Sequence, residues 1–270
     1  MSDTVTIDVP KKLLAMDLIS VFELLKKYPI VTRKLLLIRP LRSEPHVTKE
    51  EAQGDKAMNV IACDFKKKAE AADWQVFDLK GNNATKTSIL NMINTQNPDF
   101  VVYFGHSLNT YIPGQKNDKL ELAITPSNIS LLANRTASVT ACLTLSSIGI
   151  PATKAGIVAY LGYKALFSNW FTVHLVTGEL LSDSELDVDW RGATNAANTA
   201  LLNGALYKDA KDIGYKKWIE TSNKWQAKYQ SNPQVGPLIA SSALSNANGL
   251  DFVGKSNAVA RPIGILITTP

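Results

Sequence analysis

The chain has 270 residues, 45% hydrophobic and 20% charged, proportions that fit a folded domain with a sizeable core and exclude wholesale disorder. Lysine and arginine number 29 against 24 acidic residues, a formal net charge of +5. The basic clusters Lys11-Lys12, Lys26-Lys27, Lys66-Lys67-Lys68 and Lys216-Lys217 are nevertheless scattered among acids and match no nucleic-acid module.

Two cysteines, Cys63 and Cys142, make no disulfide framework. No apolar run reaches the roughly 18 residues of a membrane span, and the opening Met1–Leu14 lacks the basic-then-apolar order of a secretory signal. A reducing, cytoplasmic setting with no membrane and no nucleic-acid partner is the expectation. Oligomeric state is not readable from the sequence.

Residues 1–30 read as an N-terminal helical appendage, carried by Leu13, Leu14, Leu18, Ile19, Val21, Phe22, Leu24 and Leu25 and stopped before Pro29. Residues 31–190 read as an α/β core. Lys34–Arg39 is a short apolar run stopped by Pro40, a buried strand. A helix is predicted over Lys49–Ala72, with Met58, Ile61, Phe65 and Ala72 on one stripe. Trp74–Leu79 is a second strand. A second helix carries Ile89, Met92 and Ile93 and ends before Pro98. Phe100–Phe104 is a third strand, followed by Gly105-His106-Ser107.

A polar loop with Pro113, Gly114 and Asp118 comes next. Ser127 or Asn128 caps a short helix through Leu132. Ser138–Ala141 is a fourth strand with Cys142 at its end. A short helix near Ala152–Lys154 precedes a fifth strand, Ile157–Leu161, ended by Gly162. Residues 191–270 read as a C-terminal helical segment and tail packed on the core. Ala196, Ala200 and Leu201 line one helix, and Tyr215, Trp218, Ile219, Ser222 and Tyr229 another. The tail from Leu238 returns as short strands. Alternating strands and helices predict an α/β fold with a mostly parallel sheet and right-handed crossovers.

In such sheets functional groups gather beyond the carboxyl ends of the strands. His106 ends the third strand and Cys142 the fourth, 36 residues apart and one crossover unit in sequence. A thiolate attacks a carbonyl carbon. An adjacent imidazole can take the thiol proton and return it to the leaving amine. The same positions also suit a buried core thiol and a hydrogen-bonded surface histidine.

The residues around the pair add a resemblance. Asp99–Ser107 (DFVVYFGHS) is similar to the apolar strand ending in His-Gly of the caspase-like and gingipain-like cysteine peptidases. Ser138–Cys142 (SVTAC) resembles their next strand, ending in Ala-Cys. Ile148–Tyr163 resembles the segment in which a helix ends at Ala-Gly and a strand at Gly-Tyr. Leu201–Gly204 and the tail near Asn248–Asn257 resemble the group more loosely.

The resemblance spans about residues 34–167, half the chain. It implies a caspase-like three-layer sandwich, with helices on both faces of a mostly parallel central sheet. It also implies a Cys142–His106 dyad acting on a protein or peptide substrate through a thioester, with no cofactor or metal. The backbone N–H groups of Cys142 and Ser107 would form the oxyanion hole. The family has glycine where this chain has Ser107. If that turn needs a positive φ, serine misplaces the hole and the chain is an inactive, caspase-like binding module.

The remaining candidates carry less. Cys63 lies off the first helix's apolar stripe and, with His46, has no metal-ligand spacing. His174 reads as packed. Tyr163 and Lys164 follow the fifth strand at the rim that holds the specificity pocket in the similar peptidases. Asp183, Glu185, Asp187 and Asp189 form an acidic stretch read as a solvated loop. Phosphate loops and a Gly-x-Ser-x-Gly elbow are missing, so a nucleotide-binding domain and a serine hydrolase of that type are not supported.

Overall fold

Arg33–Arg39 forms β1, and its continuous apolar run is explained by burial on both faces. Leu35 and Leu37 enter one core, while Leu36 and Ile38 enter another on the opposite side of the sheet. The computed structural model describes residues 32–43, 45–107, 111–168, 185–231, 233 and 235–260. The expected N-terminal helix and His174 lie outside them.

The described elements are β1, α1 (Lys49–Ala71), β2 (Trp74–Lys80), α2 (Lys86–Gln96), β3 (Phe100–Phe104), β4 (Ile112–Lys116), β5 (Lys119–Ile124), β6 (Thr136–Thr140), α3 (Ile150–Lys154), β7 (Ala159–Tyr163), α4 (Glu185–Leu202), α5 (Tyr207–Ala227), α6 (Gly236–Gly249) and β8 (Leu250–Gly254). Six strands form one sheet in the order β2-β1-β3-β6-β7-β8. All its neighbours are parallel except the β7–β8 pair.

The fold is therefore α/β with a mostly parallel central sheet between two helical layers. One core gathers Met58, Ile61 and Phe65 of α1 with Trp190, Leu201, Trp218 and Ile239 of α4, α5 and α6. The other gathers Ile89 and Ile93 of α2 with Ile112, Ile124, Leu132 and Ala152. α1 thus lies on one face and α2 on the other. The chain leaves β1 for β2 over one face and returns to β3 over the other. The sheet order reverses between β1 and β3, which opens a crevice beyond their carboxyl ends.

Several elements differ from expectation. The loop around Pro113 and Gly114 is a β4–β5 hairpin. Asn117 and Asp118 form its two-residue turn, both with positive φ (50° and 58°), as a type I′ turn requires. Asn128 precedes a short 3-10 helix, Ile129–Leu132, without capping it. Its side chain instead bonds Thr125 N (2.6 Å) and Ala123 O (2.8 Å).

β7 begins two residues later than expected and contains Gly162. On α4 the buried alanines are Ala193 and Ala197, while Ala196 and Ala200 are half-buried. The residues after Gly236 form helix α6 before β8, where short strands alone were expected.

Candidate active site

β3 and β6 are adjacent and parallel, with Phe104 opposite Thr140. Both strands end there, so His106 and Cys142 each lie two residues beyond a strand at the same edge. Cys142 is thus one residue farther out than the sequence suggested. Two hydrogen bonds hold the segments together: Gly105 N donates to Thr140 O at 3.3 Å, and Ser107 Oγ donates to Cys142 O in a short contact.

The turn after β3 is fixed by Tyr103. Its buried hydroxyl donates to His106 O at 2.6 Å. A Cβ on Gly105 would lie 2.7 Å from that oxygen, so the close approach itself excludes any larger residue. Ser107 is not among the residues with positive φ. The turn makes no demand for glycine there, which removes that geometric objection to serine.

The turn after β6 is strained. Leu143 has φ 54°, a conformation that costs a residue with a Cβ about 1 kcal/mol or more. It persists because both its backbone groups are tied: Leu143 N donates to Ala165 O at 3.0 Å, and Ser147 Oγ donates to Leu143 O at 2.7 Å. Cys142 sits at the apex of this reversal, half-buried. Its Sγ donates to Phe167 O at 3.6 Å. Burial pushes the thiol above its ordinary value, with backbone hydrogen bonding at Phe167 and Cys142 only partly opposing it.

His106 is one-third exposed, yet its Nε2 is sealed from solvent. That nitrogen lies 3.1 Å from Oδ1 of Asp55, off the line of a well-aligned N–H bond. Asp55, 1% exposed, comes from α1, which starts at the rim because Thr48 and Glu51 form a capping box. Burial raises the Asp55 carboxyl, but the His106 imidazole and the hydrogen-bonded Arg42 outweigh it and hold the group below the usual carboxylate range.

The structure therefore brings His106, Ser107 and Cys142 to one rim and adds Asp55 and Arg42. Among the described residues the thiol's partner is the Phe167 carbonyl and the imidazole's is Asp55, so the two are not hydrogen-bonded to each other. Asp55 went unseen because it sits in the polar stretch Gln53–Lys56, which reads as a solvated helix face.

Other candidates lie elsewhere. Cys63 accepts from Arg39 Nη1 at 2.9 Å, and His46 faces Asp118 at 3.9 Å. Tyr163 does not line a rim: it is buried, and Trp218 Nε1 donates to its hydroxyl at 3.3 Å. Lys164 pairs with Asp251. Glu185, Asp187 and Asp189 begin α4 and do not form a loop. Glu185 and Asp189 pair with Lys224 of α5. Asp183 lies outside the described residues.

No protein-family model matches the chain, and no curated protein matches it. Among solved structures it is similar to the Arg-specific cysteine proteinase gingipain R (RGPB), with TM-score 0.46 and 10% identity, over 84% of this chain and 47% of that one. It is similar to the same degree to the complex of Porphyromonas gingivalis RgpB pro- and mature domains, over 84% of this chain and 48% of that one. The chain spans about half the length of the solved structures it matches.

Proposed function

We propose that the chain is a cysteine peptidase of the caspase-like and gingipain-like kind, with Cys142 as nucleophile and His106 as its acid and base. The observation that carries this reading is the joining of the segments beyond β3 and β6, so that an accessible imidazole and a half-buried thiol share one rim.

In the first step Cys142 leaves its bond to the Phe167 carbonyl, and Nδ1 of His106 takes the thiol proton. Nδ1 is the acting nitrogen because Nε2 faces Asp55. The sulfur attacks a peptide carbonyl, and the oxyanion faces the backbone N–H groups of Ser107 and Cys142. The imidazolium gives its proton to the departing amine, leaving a thioester. Water, deprotonated by the same imidazole, then releases the carboxylic acid and restores the thiol. Because burial keeps the resting thiol protonated, this base is required near neutral pH.

The test is labelling with an electrophilic peptide together with a peptide-cleavage profile. Cleavage and labelling should vanish in Cys142→Ala and persist in Cys63→Ala. A wild-type protein that folds, binds peptide and is neither labelled nor active is instead the non-catalytic binding module, with its thiol held permanently on Phe167.

A further inference from the structure

We propose that Arg42 is a positioning residue of this site: it fixes the Asp55 carboxylate so that His106 keeps its proton on Nε2 and offers Nδ1 to the thiol. The role given to Nδ1 rests on the peptidase reading, whereas the fixing of the imidazole does not.

Arg42 follows β1 and is 6% exposed. It grips Asp55 with three donors. Its backbone N reaches Oδ2 at 2.9 Å and its Nε reaches the same oxygen at 2.8 Å. Its Nη2 lies 3.3 Å from Oδ1. Oδ2 is thus occupied twice and the carboxylate cannot turn. The remaining side of Oδ1 meets His106 Nε2 at 3.1 Å.

A bare nitrogen lone pair at that distance from a carboxylate oxygen is repelled, so Nε2 carries the proton whatever the alignment of its N–H. Nε2 is closed to water, so no solvent molecule substitutes for Asp55.

Arg42 is itself held from the outer side. Glu51 Oε1 stands 3.4 Å from its Nη1, and Glu51 is the capping-box residue of α1. The line Glu51–Arg42–Asp55–His106 therefore ties the start of α1 to the imidazole. Without Arg42, Asp55 would be a buried carboxylate with one partner, free to rotate away from the ring or to protonate.

The test uses the full chain with Cys142→Ala and ¹⁵N-labelled histidine. The chain has three histidines, so His106 is assigned by the signal lost in His106→Asn. The expected spectrum has a protonated Nε2 and a bare Nδ1. Arg42→Gln should mix the two tautomers. Arg42→Lys should fall between, because a compact ammonium cannot span both oxygens.

With Cys142 restored, kcat should fall about tenfold or more in Arg42→Gln and less in Arg42→Lys, with KM little changed. A folded Arg42→Gln protein that keeps the wild-type tautomer overturns the proposal. If that variant fails to fold, an Arg42→Lys protein with wild-type tautomer and kcat overturns it instead. If the tautomer follows Arg42 while the wild type cuts no peptide, the positioning role stands and the peptidase reading falls.

Discussion

Arg39 and Arg42 stand three residues apart at the end of β1, and each binds a largely buried aspartate, yet the two clusters are finished differently. Arg39 meets Asp78 through two parallel bonds, Nε to Oδ1 at 2.7 Å and Nη2 to Oδ2 at 2.5 Å, a fork-to-fork geometry. Its remaining arm is shared by Asn59 (2.6 Å) and Cys63 (2.9 Å), and Lys66 adds a second cation to Asp78 at 3.2 Å. That cluster closes on itself beneath α1. Arg42 spends two donors on one oxygen of Asp55, and the other, which its Nη2 meets only at 3.3 Å, also faces His106. The same pair of side chains is a sealed joint in one place and an open arm in the other. What separates them is position: Asp78 lies on the outermost strand, β2, whereas Asp55 reaches the crevice between β1 and β3.

The largest effect that breaks the comparison is on the sealed side. Arg39→Met leaves Asp78 mostly buried with only Lys66. Breaking such a pair costs about 3 kcal/mol, at the lower end of the usual range because Lys66 remains. The urea midpoint should fall accordingly. Labelling of Cys142 per folded molecule should stay at the wild-type level, because the side-chain bonds of Arg39 and Asp78 go to Asn59, Cys63 and Lys66 and not to the rim residues. An equal loss of labelling would mean that the two clusters are one.

Acid acts on both clusters together and should have a smaller effect near neutrality. Burial raises Asp55 and Asp78, and Asp64 outside the two clusters, but their neighbours prevail and hold all three below the ordinary 3.8: His106 and Arg42 at Asp55, Lys68 and Asn195 at Asp64, Arg39 and Lys66 at Asp78. The unfolded chain therefore binds protons more readily. The stability these groups contribute is present above about pH 3.8 and is lost as pH falls through their folded values. Urea midpoints should be flat from about pH 6 to pH 5 and drop below about pH 4. In Arg39→Met the Asp78 share is reduced to what Lys66 supplies, so the drop should be shallower. A drop as steep as the wild type's would show that Asp78 is not held by Arg39.

The difference between the clusters also explains what the sequence could reveal. β1 and β3 were legible because parallel strands buried on both faces are apolar through their centres, and Leu35–Ile38 and Phe100–Phe104 are. That His106 and Cys142 follow neighbouring strands was legible because consecutive parallel strands often lie side by side, as β3 and β6 do. The β4–β5 hairpin was obscured by Pro113 and Gly114, poor strand formers, although Asn117-Asp118 is itself a turn signal. Trp190 anchors α4, whereas a stripe drawn from alanines is too weakly patterned to place its face. Nothing in a leucine announces the positive φ of Leu143. Asp55 and Arg42 are ordinary surface residues by pattern, and only the reversal of sheet order between β1 and β3 delivers them to the rim.

The smallest expected effect sharpens the comparison through the two thiols. Cys63 completes the Arg39 cluster, but Asn59 shares the same arm of Arg39 and Asp78 takes the others. Cys63→Ala therefore leaves no cation unpaired and should cost less than about 1 kcal/mol. Cys142→Ala removes a weak donor from the Phe167 carbonyl and should cost a similarly small amount. In stability the two deletions are nearly equivalent, so a denaturation curve cannot distinguish them. Reactivity can. Cys63 accepts from a guanidinium already committed to Asp78. Cys142 precedes the strained Leu143 at the rim that also carries His106, whose Nε2 faces Asp55. Loss of peptide labelling in Cys63→Ala rather than Cys142→Ala would place the reactive sulfur in the sealed cluster and undo the distinction between the two.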